Sequence, residues 1–341
     1  MLNSPLWYAN AAYRPAVPKV VICIASYRRP VLLKALLKSL DTLVFTGPEP
    51  EIEIVVVDND SGSPLEESQG PIQAWSRHKL TYVVERVRGV AAARNRALAV
   101  APGDADFIAF IDDDEQATPH WLDALLQTQA ATGAVAVQGP VLPSYESTPP
   151  DWIEDGRFFE LGPYQDGQEM GNFAGTNNAL VSKAAIDRLT LRFDMRFNLT
   201  GGEDQDFFDR LASQSGGRIV ASSEALVHDA VPEVRMNLGW ILRRWYRMGN
   251  TLGTMALLRR KGRGLRFAKG FGWIGYGLAR SAGALFVSRA RIARGLAQAA
   301  FGVGMLSAYL RLEHQEYSAE AVAAERKAAR VAPATAMRRS R

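Results

Sequence analysis

The feature that most constrains this chain is an alternation in its first half. Short, β-branched apolar runs are followed by helix-spaced leucines or alanines, and two of the runs end in aspartates. Lys19 to Ala25 is continuously apolar after its lysine, which suits a strand covered on both faces rather than one with a wet side. Leu33, Leu36, Leu37 and Leu40 follow at helical spacing behind Pro30, a residue favoured at helix starts. Glu51 to Val57 is a second strand, closed by the turn-forming run Asp58-Asn59-Asp60-Ser61-Gly62. Leu80 to Val84 is a third strand, and Val90 to Val100 is an Ala-rich helix entered through Gly89. Phe107 to Ile111 is a fourth strand running into Asp112-Asp113-Asp114, and Thr118-Pro119 reads as N-cap and first residue of another helix. Strands alternating with helices imply an α/β domain with a largely parallel sheet. Beyond an irregular stretch from about 143 to 173, Gly175-Thr176-Asn177-Asn178 leads to a short strand. A helix is expected at Gln205 to Ala212, a last strand at Arg218 to Ala221, and His228 in a loop.

Composition bounds the answer. The 341 residues suffice for one large core plus an appended segment, and 47% hydrophobic with 22% charged residues is a globular balance. The single cysteine, Cys23, excludes a disulfide framework and reads as a small core residue. The opening Met-Leu-Asn-Ser-Pro-Leu-Trp lacks a basic segment followed by an apolar one, so the cytosol is the default compartment. The net charge of +4 hides an asymmetry: Arg235 through Leu312 holds fifteen Lys or Arg and no Asp or Glu, while the part before is acidic on balance. Such a segment meets something anionic.

Two acidic clusters carry the chemistry. Asp112, Asp113, Asp114 and Glu115 crowd the end of an apolar strand, where four carboxylates repel unless a cation or hydrogen-bond donors compensate. The carboxyl ends of strands are where open α/β sheets bind ligands, and a hard divalent ion accepts carboxylate and phosphate oxygens together. Asp112 and Asp114 therefore suit a metal–diphosphate site. Glu203-Asp204 is the second cluster; carboxylates at a helix start either cap it or act as a base. Gly175 lets backbone approach a sugar whose hydroxyls Asn177 and Asn178 can read. No GxGxxG follows the first strand, which argues against a dinucleotide oxidoreductase.

The order Ala25-Ser26-Tyr27, Val57-Asp58-Asn59-Asp60-Ser61, Gly89 to Asn95, Phe110 to Asp114 and Gly202-Glu203-Asp204-Gln205-Asp206-Phe207 resembles the inverting family 2 glycosyltransferases. Among them it is similar to bacterial exopolysaccharide enzymes that extend a polyprenyl-diphosphate-linked sugar. The resemblance spans roughly residues 18 to 250. It implies a GT-A fold, a Rossmann-like nucleotide-diphospho-sugar transferase domain, with Ala25, Tyr27 and Asp58 lining the nucleotide-base pocket and Arg94 beside it. It further implies Asp112 near the ribose, Asp113 within the donor site, Asp114 on Mn²⁺ or Mg²⁺ with His228 as a further ligand, and Asp204 as catalytic base with Glu203 orienting the acceptor. Arg243, Arg244 and Arg247, in Trp240 to Arg247, match the family's arginine-aromatic helix for the diphosphate or acceptor.

Beyond Leu238 the chain reads as helical, Gly-punctuated and basic. Phe271 to Val287 and Gly295 to Leu310 are apolar but short of the roughly 20 residues a span needs. The arginines between them favour an in-plane or re-entrant pair at anionic head groups. Nucleic acid fits the charge but not the long apolar faces. The expected organisation is a GT-A domain over 1–237, a basic membrane-associating helical region over 238–312 and a tail over 313–341. The expected activity is inverting transfer of a hexose from a nucleotide-sugar donor, a UDP-sugar, to a polyprenyl-diphosphate-linked acceptor at the cytoplasmic side of the inner membrane. The rivals are a polyprenyl-phosphate glycosyltransferase and a non-catalytic nucleotide-binding membrane scaffold.

Overall fold

The computed structural model describes residues 17–258, 263–310 and 312; the opening segment and the tail from 313 lie outside them. Eleven strands and ten α-helices occur among the described residues. In chain order the first part reads β1 (Lys19–Ser26), α1 (Pro30–Leu40), β2 (Glu51–Asp58), α2 (Leu65–Gln69), β3 (Lys79–Val84), α3 (Val90–Val100), β4 (Phe107–Phe110), β5 (Glu115–Ala117) and α4 (Trp121–Thr132). There follow β6 (Ala136–Gln138), β7 (Val141–Tyr145), α5 (Asp151–Gly156), β8 (Glu169–Gly171), β9 (Ala179–Ser182), α6 (Lys183–Arg188), α7 (Glu203–Ser215), β10 (Ile219–Ala221) and β11 (Val227–Val231). The helices α8 (Leu238–Leu258), α9 (Arg263–Gly283) and α10 (Arg289–Ser307) complete the chain.

The chain forms two compact units. One comprises residues up to 142 with 161–198 and 203–229; the other comprises 143–160, 199–202 and the chain from 230 onward. In the first unit eight strands make one sheet in the order β3-β2-β1-β4-β9-β6-β10-β8. The expected apolar runs do form its centre: Val20 to Ile24 and Val55 to Val57 are buried, Cys23 among them with its thiol pushed up to about 12 by burial. β3, β2, β1 and β4 are parallel, in a register that pairs Ser26 with Asp58 and Cys23 with Phe110. β9 runs antiparallel to both β4 and β6. Leu33, Leu36, Leu37 and Leu40 of α1 are wholly buried, as their spacing required, and Pro30 occupies the helix start.

The chain moves from β1 outward to β2 and β3, then returns to place β4 on the other side of β1. Between β1 and β4 the strand order therefore reverses, which opens a crevice at their carboxyl ends. Ser26-Tyr27, Asp58 and Asp112 to Asp114 all lie along that edge. Two local expectations are corrected. Thr118 does not cap α4, which begins at Trp121 behind His120; the Thr118 hydroxyl instead donates to the Leu226 carbonyl at 2.9 Å. His228 is not in a loop but on β11, paired with Gln116 of β5, because the alternation Val227-His228-Asp229 lets that segment join the edge offered by β5.

In the second unit α10 packs on both α8 and α9. A smaller apolar cluster of Ile153, Phe158, Phe159, Val231, Met236, Ile241, Ala293 and Ala297 lies at its centre. Phe159 stacks on Trp240 at 5.4 Å between centroids.

Candidate active site

Each acidic residue at the crevice is fixed by a named partner. Asp113 is buried where β1 ends: it accepts from Ser26 Oγ at 2.8 Å, from the Tyr27 backbone N–H at 3.4 Å and from Arg29 Nη1 at 2.8 Å. The same Arg29 nitrogen donates to Asp114 Oδ2 at 2.9 Å, so one guanidinium ties adjacent aspartates to the start of α1. Glu115, 1% exposed, folds back to accept from the Asp112 backbone N–H at 2.8 Å and sits across from Asp229 of β11. The turn after β2 is held by Asp58, wholly buried, which accepts from Leu65 N–H at 2.7 Å, Asp60 N–H at 3.0 Å and the Tyr82 hydroxyl at 2.6 Å.

Arg94, 8% exposed on α3, joins the two acidic clusters. It donates through Nη2 to Asp112 at 2.9 Å and through Nη1 to Glu203 at the first residue of α7. The α3 start is itself pinned from the α7 side of the sequence. Asn198 accepts from Ala92 N–H at 2.9 Å, donates to the Arg88 carbonyl at 2.8 Å and takes Val90 N–H on its own carbonyl. Gly89, at φ 129°, leaves no room there for a side chain. Asp204 follows Glu203 in the first turn of α7, one oxygen accepting Gln205 N–H at 2.7 Å and the other turned toward Gly175. Glycine at 175 leaves space that the Asn177 and Asp204 side chains use.

The crowding shows in the acidities. Burial raises Glu203 to about 7 against the pull of Arg94, with Asp204 adding to the rise. Burial likewise raises Asp113 to about 6, opposed by Arg29. Glu115 is driven well above the carboxylate range by burial and then by Asp112 and Asp229. Desolvation of the crevice floor raises Asp112, with Arg94 opposing and Asp114 and Asp204 reinforcing. Glu203 Oε2 is buried with no hydrogen-bond partner among the described residues. Such an oxygen is costly unless another group comes to it.

The structure therefore brings together Asp112, Asp113, Asp114, Arg94, Glu203 and Asp204, with Asn177 beside Gly175. Tyr27 lies under two guanidiniums, Arg88 at 4.8 Å and Arg28 at 5.1 Å from its ring centroid, and Ala25 is half-buried one turn of strand before it. Asn178 does not face the crevice: it is fully buried, accepts from Trp121 Nε1 at 2.7 Å and donates to the carbonyls of Pro140 and Ala225. Arg243, Arg244 and Arg247 belong to the second unit, on α8, where Arg244 lies 5.5 Å from the Trp240 ring and 6.0 Å from Phe159. The sequence reading missed Arg29, and it named Ser26 and Glu115 without giving either a part in holding the site. The cation pair Arg28-Arg29 directly after a strand was the available signal for the first.

Comparison with known proteins decides the family. The profile of Glycosyl transferase family 2 matches residues 21–189. The succinoglycan biosynthesis protein ExoM of Rhizobium meliloti (strain 1021) is 37% identical over 310 residues, which cover 88% of this chain and 96% of that one. The chain belongs to glycosyl transferase family 2. A glucosyl-dolichyl phosphate glucuronosyltransferase of Haloferax volcanii is 23% identical to this transferase over 252 residues, 70% of this chain and 77% of its own. Among solved structures, the mannosyltransferase PcManGT from Pyrobaculum calidifontis in complex with GDP-Man and Mn²⁺ superposes with a TM-score of 0.60, 19% identity and coverage of 87% and 88%. S. aureus TarS 1–349 in complex with UDP-GlcNAc gives 0.50 at 16% identity, with coverage of 87% and 93%. At those identities the two structures bear on the fold, and the fold of this family 2 transferase is GT-A.

Among the described residues no three His, Cys, Asp or Glu side chains close on a common point. A hard cation bound with a nucleotide needs fewer, because one or two carboxylates act together with phosphate oxygens. The acidic residues at the crevice outnumber Arg29 and Arg94, and several are held above the usual carboxylate pKa. That surplus of oxygen ligands fits a divalent ion.

Proposed function

We propose that this family 2 transferase moves a hexose, with inversion, from a UDP-sugar to a hydroxyl of a polyprenyl-diphosphate-linked saccharide during exopolysaccharide synthesis, on the cytoplasmic face of the inner membrane. The observation that carries the reading is the Arg94 bridge. It holds the acidic end of the donor-side strand and the Glu203–Asp204 helix start on one guanidinium, so donor and acceptor chemistry share one crevice. The kinship with ExoM supports the pathway class, and the Haloferax relative's name supports a sugar hydroxyl on a lipid carrier.

In this reading Tyr27 stacks on the base, Ala25 and Asp58 shape its pocket, and Asp112 and Asp113 position the ribose and diphosphate. Asp114 and Asp112 would hold Mn²⁺ or Mg²⁺ together with the diphosphate oxygens, as one or two carboxylates suffice; His228, on β11 and paired with Gln116, is left out of that set. When bound, the ion neutralises charge that develops on the departing diphosphate. The acceptor oxygen bonds to the anomeric carbon as the bond to the diphosphate oxygen breaks, and the hydroxyl proton passes to Asp204. Glu203 is oriented by Arg94, and its unpartnered oxygen receives an acceptor hydroxyl. Asn177 reads a donor hydroxyl. Arg243, Arg244 and Arg247, all on α8, carry guanidiniums of the kind that pair bidentately with phosphate.

The test is transfer and slow hydrolysis across UDP- and GDP-sugars with and without Mn²⁺, on wild type and Asp204→Asn. The reading expects hydrolysis of a UDP-hexose and transfer that collapses in the variant. Transfer that survives Asp204→Asn would favour a phosphate acceptor, which needs no base. Hydrolysis of no nucleotide sugar would overturn the donor assignment.

A further inference from the structure

α9 meets α10 by close backbone approach at glycines, with Trp273 edge-on to Phe301 at 5.5 Å beside them. A Cβ placed on Gly295 of α10 would stand 2.6 Å from the Gly277 carbonyl oxygen, and one on Gly302 would stand 2.5 Å from that of Gly270. α10 meets α8 in the same way, a Cβ on Gly253 falling 2.6 Å from the Met305 carbonyl. Backbone-to-backbone approach at small residues is the mode by which helices associate in lipid, where apolar side chains gain nothing by turning inward.

Several large residues of α9 are left outside. Leu265 is 63% exposed, Phe271 58% and Leu278 52%, and the turn that follows exposes Phe286 completely with Leu285 at 60% and Val287 at 66%. Phe267, Phe271 and Leu278 fall within about 40° of one another around the helix at 100° per residue. Arg266, Lys269 and Arg280 fall within about 60° of one another on the opposite flank. Phe267 meets Phe271 edge-on at 5.4 Å and Tyr309 at 5.0 Å, so the apolar flank is a continuous aromatic surface. An exposed patch of this kind marks a binding face.

Charge selects its occupant. Arg235 through Leu312 carries fifteen Lys or Arg and no acidic residue, so a second copy would meet this face with the same sign, whereas an anionic leaflet complements it. No helix among the described residues is long and apolar enough to cross a bilayer, which leaves an in-plane arrangement.

We propose that α9 and the Leu285–Val287 turn form an in-plane docking surface for an anionic lipid leaflet, with Phe286 as the inserted tip. The proposal deepens the reading of a lipid-linked acceptor and rests on it for the purpose of docking; the surface itself rests on exposure and charge. The experiment is sedimentation of the full-length protein with phosphatidylcholine vesicles, with and without 30% phosphatidylglycerol. Binding is expected to the anionic vesicles, to weaken with salt, and to fall at least tenfold in Leu285→Asp/Phe286→Asp. These two residues are solvent-facing, so the variant's melting temperature and its hydrolysis of soluble donor should match wild type. Equal sedimentation of variant and wild type would overturn the proposal. So would a wild-type dimer, seen by analytical ultracentrifugation without vesicles, that the double variant dissociates, because the face would then be a subunit interface. Vesicle binding without donor hydrolysis in wild type would leave the docking surface standing and sink the transferase donor assignment alone.

Discussion

Replacing Arg94 by Met keeps much of its length and apolar stem but removes the charge that Glu203 and Asp112 share. Two charge-assisted hydrogen bonds are lost, each worth about 1.5–3 kcal/mol. Glu203 softens the blow at neutral pH: with burial already raising it to about 7, it can take up a proton rather than remain a buried, uncompensated anion. We therefore expect a loss of about 3 kcal/mol at pH 7, or roughly 6–12 °C in melting temperature. The pH dependence is the sharper test. Glu203 is raised from 4.5 when unfolded to about 7 when folded, so its contribution is complete below pH 4.5 and is lost as pH rises through 7, at about 1.4 kcal/mol per unit. Without Arg94 the folded value rises further, and so does that of Asp112, so the loss continues above pH 7 in the variant when it has ended in wild type. Thermal unfolding of both proteins from pH 5 to pH 9 should show a gap that widens with pH, and transfer should be lost throughout. Parallel melting curves across that range, or a gap under about 2 °C, would refute the role given to Arg94.

Asp204→Asn preserves the helix start but accepts no proton, so transfer should fall by about 10² or more while donor affinity, measured by calorimetry, stays within a few-fold. Asp114→Ala should abolish turnover and the Mn²⁺ dependence of UDP binding, and excess EDTA should silence the wild type; full activity in EDTA would reject the metal assignment. Asn178→Ala removes three buried hydrogen bonds, from Trp121 Nε1 and to the carbonyls of Pro140 and Ala225, of which Pro140 keeps the Val227 N–H, so denaturant titration should register a loss of about 2–4 kcal/mol even though the residue is away from the chemistry. Gly89→Ala meets a backbone at φ 129° and the Asn198 amide, and should cost about 1–3 kcal/mol, with slower turnover because Arg94 rides on the helix that starts there.

Much of the site's neighbourhood is local in origin. Asp112 to Asp114 follow β4 directly, and Glu203-Asp204 open α7, so strand end and helix start could be read from residues beside them. What could not be read is who neutralises whom. Arg29 and Asp113 are 84 residues apart, Arg94 and Glu203 109 apart, and Asn198 reaches back to Ala92 over 106. Asn178 shows the converse: beside Gly175 in sequence it read as a sugar ligand, yet its amide is spent on Trp121, Pro140 and Ala225.

By itself the sequence determined the alternation of buried strands and amphipathic helices, because burial on both faces of β1 and β2 and one face of α1 demands those periods whatever the neighbours. It also determined where negative charge accumulates and where it is absent. The tertiary structure alone decided that β4 returns beside β1 to open the crevice, that β11 takes His228 out of a loop, and that Thr118 is used by Leu226 rather than by α4. It also decided that α9 keeps its aromatic flank outward. The reason is common to all four: each depends on which distant group offers a free hydrogen-bond edge or a close-fitting backbone, and chain neighbours carry no record of that partner.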